Sequence, residues 1–268
     1  MFAVLQKVRI FPALMMVLVS LSVSAERGVK LKTPEGGVTE ILLQTAMPEL
    51  GDGRLAMILT RYYHEGLGGP EHWETISSLR LKGVLTLKDR EFELQALQRK
   101  PNFMKLTLVS NQQEWVFGHD GTTAWKRAPE AYAKAVEMAN KEARRFKHAA
   151  IFGNHLLYPF AEGKEIIYID TVPTEGNICH QIRVNLDTGY RVDYFIDIRT
   201  YLEIKVVNTD LEDDNTHCMI YKNYIRVHGM PIAKRVDSSE NGEWVSTLVL
   251  DEIGVNRGVM PWMFKMRD

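Results

Sequence analysis

Between Leu79 and Trp125 the chain alternates. Leu79, Leu81, Leu85 and Leu87, then Phe92, Leu94 and Ala96, then Met104, Leu106 and Leu108 are apolar, while Arg80, Lys82, Lys88, Glu93, Gln95 and Lys105 fall on the other parity. A period of two describes strands with one apolar and one polar face, whereas a helix would repeat at 3.6. Polar turns at Asp89-Arg90, Lys100-Pro101-Asn102, Ser110-Asn111-Gln112 and His119-Asp120-Gly121 separate the runs, which predicts antiparallel pairing of neighbours.

The same period returns after Lys164. It predicts strands over Glu165–Asp170, Ile178–Leu186, Arg191–Asp197, Tyr201–Thr209, Thr216–Val227, Pro231–Asp237 and Glu243–Asp251, with tight turns at Asp187-Thr188-Gly189, His228-Gly229 and Asn241-Gly242. Helical spacing is confined to three places. Leu55, Ile58, Leu59 and Tyr62 give one face to a helix over Arg54–Glu65; Pro70 opens a short helical turn carrying Trp73 and Ile76; and Ala131, Ala135, Met138 and Ala139 predict a helix over Pro129–His148. An apolar run from Ala149 to Phe160 follows, too greasy for an exposed connection, and is expected to dock on the sheet.

A sheet of about twelve strands must curl, and a single apolar side then becomes the inside of an open barrel. The expected fold is mainly β with an α plug: one large antiparallel sheet in an unclosed half-barrel with helices on its concave face. So few helices are expected to leave part of that face lined but unfilled, and an unfilled apolar trough is a ligand site. Leu81, Leu85, Phe92, Leu94, Met104, Leu106, Trp115 and Phe117 are its candidate lining, and Ile151, Phe152, Leu156, Leu157 and Phe160 are candidates for a movable lid. Taken singly, each of these residues reads more simply as ordinary core.

At the start of the chain, Lys7 and Arg9 precede an apolar stretch from Ile10 to Leu21 and the small residues Val23-Ser24-Ala25. This reads as a secretory signal over residues 1–25, cleaved before Glu26. Residues 26–53 read as an N-terminal extension or linker and residues 54–268 as the half-barrel domain. Losing Lys7 and Arg9 takes the net charge from −1 to −1 − 2 = −3. A chain so close to neutral, without a basic stripe, is not built for nucleic acid. Cys179 and Cys218 fall on strands three steps apart, about 14 Å at the usual ~4.8 Å spacing, so a disulfide between them requires a different strand order.

Catalytic signatures are few. The chain contains no G-x-S-x-G, no H-E-x-x-H and no glycine-rich phosphate loop. Asp187-Thr188-Gly189 matches the tripeptide of aspartic proteases, but such sites need two copies facing one another, and this copy sits where a turn is wanted. His148 and His155 are separated by Gly153, and Glu212-Asp213-Asp214 suits a solvated hairpin tip. The expectation is a protein without catalytic residues, metal or cofactor.

The run Arg99-Lys100-Pro101-Asn102-Phe103-Met104-Lys105, followed by Asp120-Gly121-Thr122-Thr123-Ala124-Trp125 and Pro129, resembles the basic-Pro-x-x-aromatic and D-G-x-x-x-W-x-x-x-P pattern of the LolA/LolB-like family, periplasmic carriers of outer-membrane lipoproteins and related lipids. The resemblance continues through Phe152–Leu157, Tyr194-Phe195-Ile196-Asp197, Tyr201-Leu202-Glu203-Ile204-Lys205 and Tyr224–Pro231. It implies an unclosed antiparallel barrel of about eleven strands with helices in its mouth. It also implies a non-enzymatic carrier in the periplasm that holds a lipid or an acylated lipoprotein under a lid, with an inner-membrane lipid exporter as a partner. Lys100 stands where the LolA branch has an arginine that latches the lid. A lysine lacks the planar multi-donor fork of a guanidinium, so Lys100 is a latch candidate of a different kind. The alternative implied function is a sensor module that binds lipid and a membrane-protein partner.

Overall fold

The computed structural model of the chain describes residues 29–32 and 38–41, 53–88, 90–157 and 163–266. The first two of these segments are strands β1 (Val29–Lys32) and β2 (Val38–Ile41), which pair antiparallel as a separate two-stranded sheet. Residues 1–25, with the expected signal, and the lid candidate Phe160 lie outside the described residues.

Thirteen strands form the main sheet. Those of the first half are β3 (Ser78–Leu87), β4 (Arg90–Arg99), β5 (Phe103–Ser110), β6 (Gln113–Asp120), β7 (Ala124–Arg127) and β8 (Val136–Glu137). The second half supplies β9 (Lys164–Thr174), β10 (Asn177–Leu186), β11 (Tyr190–Asp197), β12 (Glu203–Asp210), β13 (Asn215–Val227), β14 (Met230–Glu240) and β15 (Glu243–Val255). The order is β8-β7-β6-β5-β4-β3-β15-β14-β13-β12-β11-β10-β9, so each half is a meander and the two join where the last strand pairs with β3. β8 and β9 remain as edges; the barrel is not closed. At the junction a bulge in β15 between Leu250 and Glu252 brings the chain against Gly83, where a Cβ would lie 2.1 Å from the Val249 carbonyl oxygen. Only glycine fits there. Gly118 has a similar role under the indole of Trp125, whose ring atoms lie 2.3 Å from where its Cβ would be.

Three helices cover the concave face. α1 (Arg54–Arg61) runs into a π-helical turn over Tyr62–Gly66, α2 (Pro70–Thr75) follows, and α3 (Asn140–Ala150) with the segment after it carries the chain from edge strand β8 to edge strand β9. α3 is tied at its polar side by Glu142 to Lys126 on β7 (2.7 Å), by Arg144 to Asp210 (2.6 Å) and by Arg145 to Asp213 (2.8 Å). Its apolar side buries Phe146, Ala149 and Ala150.

The structure differs from the sequence reading in three places. The helix expected over Pro129–His148 begins only at Asn140, because Val136–Glu137 pair with Trp125 and Lys126 and Met138 N–H donates to the Ala124 carbonyl at 2.9 Å. Sheet extension outweighs a weak run of alanines whose apolar stripe is narrow, and Tyr132 at φ 66° interrupts it further. The same pairing adds short strands at the β8 edge, so that the sheet has thirteen strands. The strand expected from Tyr201 begins at Glu203, since the Asp197 carboxylate accepts from the amides of Arg199 and Thr200 (2.9 and 2.7 Å) and holds a turn that leaves Tyr201 at φ 56°. Cys179 and Cys218 lie on β10 and β13, three strands apart as expected, and both are free thiols.

The third difference concerns the trough. Leu81, Leu85, Phe92, Leu94, Met104, Leu106 and Phe117 are between 0% and 6% exposed, and only Trp115 is half-buried. They form one cluster with Ile58, Leu59 and Tyr62 of the first helical segment, with Phe146 and Ala149 of α3, and with Phe152, Leu156 and Leu157. Around these candidates the concave face is therefore filled by the protein itself rather than left open. Counting helices underestimated the filling because Tyr62, Tyr190 and Tyr194 also project inward and are fully buried. Each large apolar side chain buried in this way contributes ~1.5–3 kcal/mol.

Candidate functional site

Where the filling is least like a core is the segment after α3. Phe152, Leu156 and Leu157 are buried at 2–3% exposure, while the lid candidate Ile151 points outward at 37%. The segment has no regular structure, so its backbone groups need partners from elsewhere. Asn154 supplies most of them. Its Oδ1 accepts from the amides of Leu156 and Leu157 at 2.9 and 2.8 Å, and its Nδ2 donates at 2.5 Å to both the Tyr62 hydroxyl and Glu203 Oε1. The Tyr62 hydroxyl in turn donates to the same Glu203 oxygen.

Further bonds hold the segment from three sides. The Phe152 amide donates to the Pro101 carbonyl (3.0 Å), the His155 amide to the Tyr194 hydroxyl (3.0 Å), and the Lys164 ammonium to the His155 carbonyl (2.5 Å). The Tyr224 hydroxyl donates to the Glu203 carbonyl at 2.7 Å and fixes the start of β12. Segment 151–157 is thus pinned to the π-helical turn, to the β4–β5 turn, to β11 and to β9 through a small number of polar contacts, while its apolar side chains lie on the sheet.

Lys100 sits beside this arrangement. Its Nζ donates to the Trp73 carbonyl at the end of α2 (2.9 Å) and lies 6.0 Å from the centre of the Phe152 ring, and burial holds its pKa down to about 7. The hydrogen bond from segment 151–157 on this side, donated by the Phe152 amide, is accepted by the neighbouring Pro101 carbonyl. Lys100 braces α2 and faces the lid only through an aromatic ring.

Glu203 is fully buried, and the side chains bonded to its carboxyl are the neutral Tyr62 and Asn154. Burial pushes its pKa up to about 7, with the two hydrogen bonds working against the rise. Burial likewise raises Tyr62 and Tyr194 well above the usual phenol range, Glu203 adding to both. On the other side of the segment the rings of His148 and His155 stack at 4.6 Å, and His148 stacks on Tyr190 at 4.0 Å. Burial lowers His148 to about 4 and His155 well below its ordinary value, so both are neutral imidazoles near pH 7. Their stacking is a packing arrangement, and among the described residues no group of three or more His, Cys, Asp or Glu is placed to hold a metal. Asp187-Thr188-Gly189 forms the β10–β11 turn, and Asp213 is ion-paired with Lys141 and Arg145.

The sequence reading expected the run after α3 to dock on the sheet, as Phe152, Leu156 and Leu157 do, and missed what fastens it. Asn154, Tyr62, Tyr194 and Glu203 come from four separate parts of the chain. The available signal was a single amide inside the apolar run 149–160; Glu203, between Leu202 and Ile204, gave none.

No family model matches the sequence, and no curated protein matches it by sequence. Solved structures do match. A LolA superfamily protein from Nitrosomonas europaea superposes with a TM-score of 0.55 over 78% of this chain and 96% of its own, at 10% identity. The chain has the LolA fold. A domain assigned to outer-membrane lipoprotein sorting from Vibrio parahaemolyticus gives a TM-score of 0.53 at 14% identity, covering 78% of this chain and 94% of its own. A DUF1329 family protein from Desulfovibrio piger gives 0.56 at 8% identity, with 78% and 95% covered. At such identities the likeness is one of architecture: a LolA-type open barrel whose concave face is crossed by helices.

Proposed function

We propose that this chain is a periplasmic lipid-binding protein, non-enzymatic, that takes up acyl chains on the concave face of its LolA-type barrel when segment 151–157 lifts. The observation that carries the reading is the contrast within that segment: three apolar side chains lie in the apolar cluster on the sheet, yet the backbone that brings them there is fastened mainly by Asn154, Tyr62 and Glu203. A cover held in this way is replaceable by another hydrocarbon.

The energies support exchange rather than permanent capture. A sixteen-carbon chain entering the face gains on the order of 10 kcal/mol, at ~0.8 kcal/mol per CH₂. Lifting Phe152, Leu156 and Leu157 gives up ~5–9 kcal/mol at ~1.5–3 kcal/mol each. The two sums are close, so loading is favourable and release remains attainable. The barrel needs no polar contact for affinity, and Arg144, Arg145 and Asp210 near the face are occupied in ion pairs.

A signal-like start at Lys7–Ala25 supports export to the periplasm, and the LolA architecture supports a lipid or an acylated lipoprotein as cargo, delivered by an inner-membrane exporter. Protein expressed with its leader and purified from the periplasm is expected to carry lipid at about one molecule per chain by native mass spectrometry and extraction. A lipid-free barrel with a stoichiometric protein partner would transfer the reading to a sensor. Accumulation of a lipid hydrolysis product on incubation would replace the carrier with an enzyme.

A further inference from the structure

The second half of the sheet carries a polar row on its core side. Asn208 on β12 lies opposite His217 on β13, and Ser238 on β14 lies opposite Ser246 on β15. Residues opposite one another in an antiparallel pair share a face. Ser246 is opposite buried Leu87 and Ser238 is opposite buried Met219, so the row faces the core and not the solvent. All four polar residues are at most 3% exposed.

Several atoms here have no hydrogen-bond partner. Asn208 Oδ1 accepts from His148 Nε2 at 2.9 Å, which leaves Asn208 Nδ2 and His148 Nδ1 unpartnered, and the hydroxyls of Ser238 and Ser246 are unpartnered as well. Buried polar groups are nearly always paired, and leaving one unpaired costs its full desolvation. Three such atoms on the sheet face, with His148 Nδ1 on α3 as the fourth, call for a partner from outside the chain. What they offer defines that partner. Both hydroxyls donate and accept, the amide donates, and His148 Nδ1 accepts because its Nε2 carries the proton. None is charged; Asp210 is taken by Arg144 and Arg145 at 2.6 and 3.4 Å, and Glu240, opposite His217, lies half-buried at the end of β14.

We infer that this row receives the polar end of the bound lipid, and that the lipid has an uncharged, hydroxyl-bearing head, such as the glycerol of a monoacylglycerol, with its chain running on past Leu87 and Leu85 over the first half of the sheet. A charged head would be stripped of water here with no counter-charge to meet it. A hydroxyl head both donates and accepts, as the row does. The inference rests on the lipid-binding reading above and narrows its ligand.

The test holds the chain constant and varies the head. Delipidated protein is titrated with monooleoylglycerol, oleate and oleylamine below their aggregation concentrations, with binding read by native mass spectrometry. Monooleoylglycerol is expected to bind at least about tenfold more tightly than either charged ligand, the size of one or two hydrogen bonds gained. In Ser238→Ala/Ser246→Ala that preference is expected to shrink to under about threefold. The same double variant, ligand-free, is expected to melt no lower than wild type, since the hydroxyls it removes have no partner; a lowered Tm would show them paired and overturn the inference. Equal binding of the three ligands to wild type, or a preference that survives in the variant, overturns it too and leaves the carrier reading standing. Failure of all three ligands to bind removes both.

Discussion

Replacing Asn154 with alanine removes the one side chain that both shapes the lid backbone and ties it to the barrel. Four hydrogen bonds disappear: two accepted from the Leu156 and Leu157 amides and two donated to Tyr62 and Glu203. The Leu157 amide keeps a contact to the Asn154 carbonyl at 3.3 Å, so the Leu156 amide is the donor left buried and unpaired. With ~1 kcal/mol net for each bond and partial re-pairing of Tyr62 with Glu203, the closed segment loses ~3 kcal/mol. At 1.4 kcal/mol per factor of ten, that raises the open fraction by roughly a hundredfold. Amide hydrogen exchange followed by mass spectrometry measures this directly. Protection across residues 148–157 is expected to fall by about two orders of magnitude while β3, β4 and β5 retain theirs, because local opening is uncoupled from global unfolding. Unchanged protection in the segment would refute the fastening role of Asn154. Equal loss of protection in the sheet would refute the lid, because the residue would then belong to a single cooperative core.

Other consequences follow from the same groups. Glu203 is raised to about 7 from 4.5 by burial, so between those values the closed state binds more protons than the open one and closure weakens as pH rises; Glu203→Gln is expected to melt higher than wild type by an amount that grows from pH 4.5 to pH 7, up to ~3 kcal/mol at 1.36 kcal/mol per pH unit. A difference in Tm that stays constant across that window would contradict the linkage. His148 acts in the opposite sense: held at about 4 against 6.5, it stays neutral in the closed state while the open state gains a proton, so closure also weakens as pH falls from 6.5 to 4, and His148→Gln is expected to remove that part of the acid limb in the same melting series. Leu156→Glu places a charge at a position 2% exposed in the closed segment and is expected to abolish lipid capture with far-ultraviolet circular dichroism unchanged; capture at the wild-type level would take the segment out of the site. The Cys179 thiol is pushed up to about 11 and Cys218 is also raised, so native protein is expected to react slowly with a thiol reagent at pH 8 and to show two free thiols once unfolded; an intramolecular disulfide, with no free thiol on unfolding until a reductant is added, would contradict the strand order.

Why the barrel was legible and its fastening was not is a matter of range. Leu81, Leu85, Phe92, Leu94, Met104 and Leu106 announce their face within a few residues of themselves, and each turn between them is marked by local chemistry. The pairing of β3 with β15, by contrast, joins the two ends of the domain and has no local signal, and the sequence reading did not contain it. Helix α3 was misplaced because a run of alanines carries little directional signal, and the edge of the sheet claimed its first residues. The lid's apolar residues Phe152, Leu156 and Leu157 declared themselves by density alone. Its polar partners did not: Asn154 meets Glu203 across 49 residues and Tyr62 across 92, and Tyr62 meets Glu203 across 141. No periodicity links such positions, and a buried glutamate flanked by Leu202 and Ile204 looks in sequence like any solvent-facing strand residue. In the proposed carrier those long-range polar contacts would distinguish a cover that can be released from a core that cannot, since hydrocarbon on hydrocarbon sets affinity without geometry, whereas an amide shared between a tyrosine and a carboxyl has one closed arrangement and a protonation state that biases it.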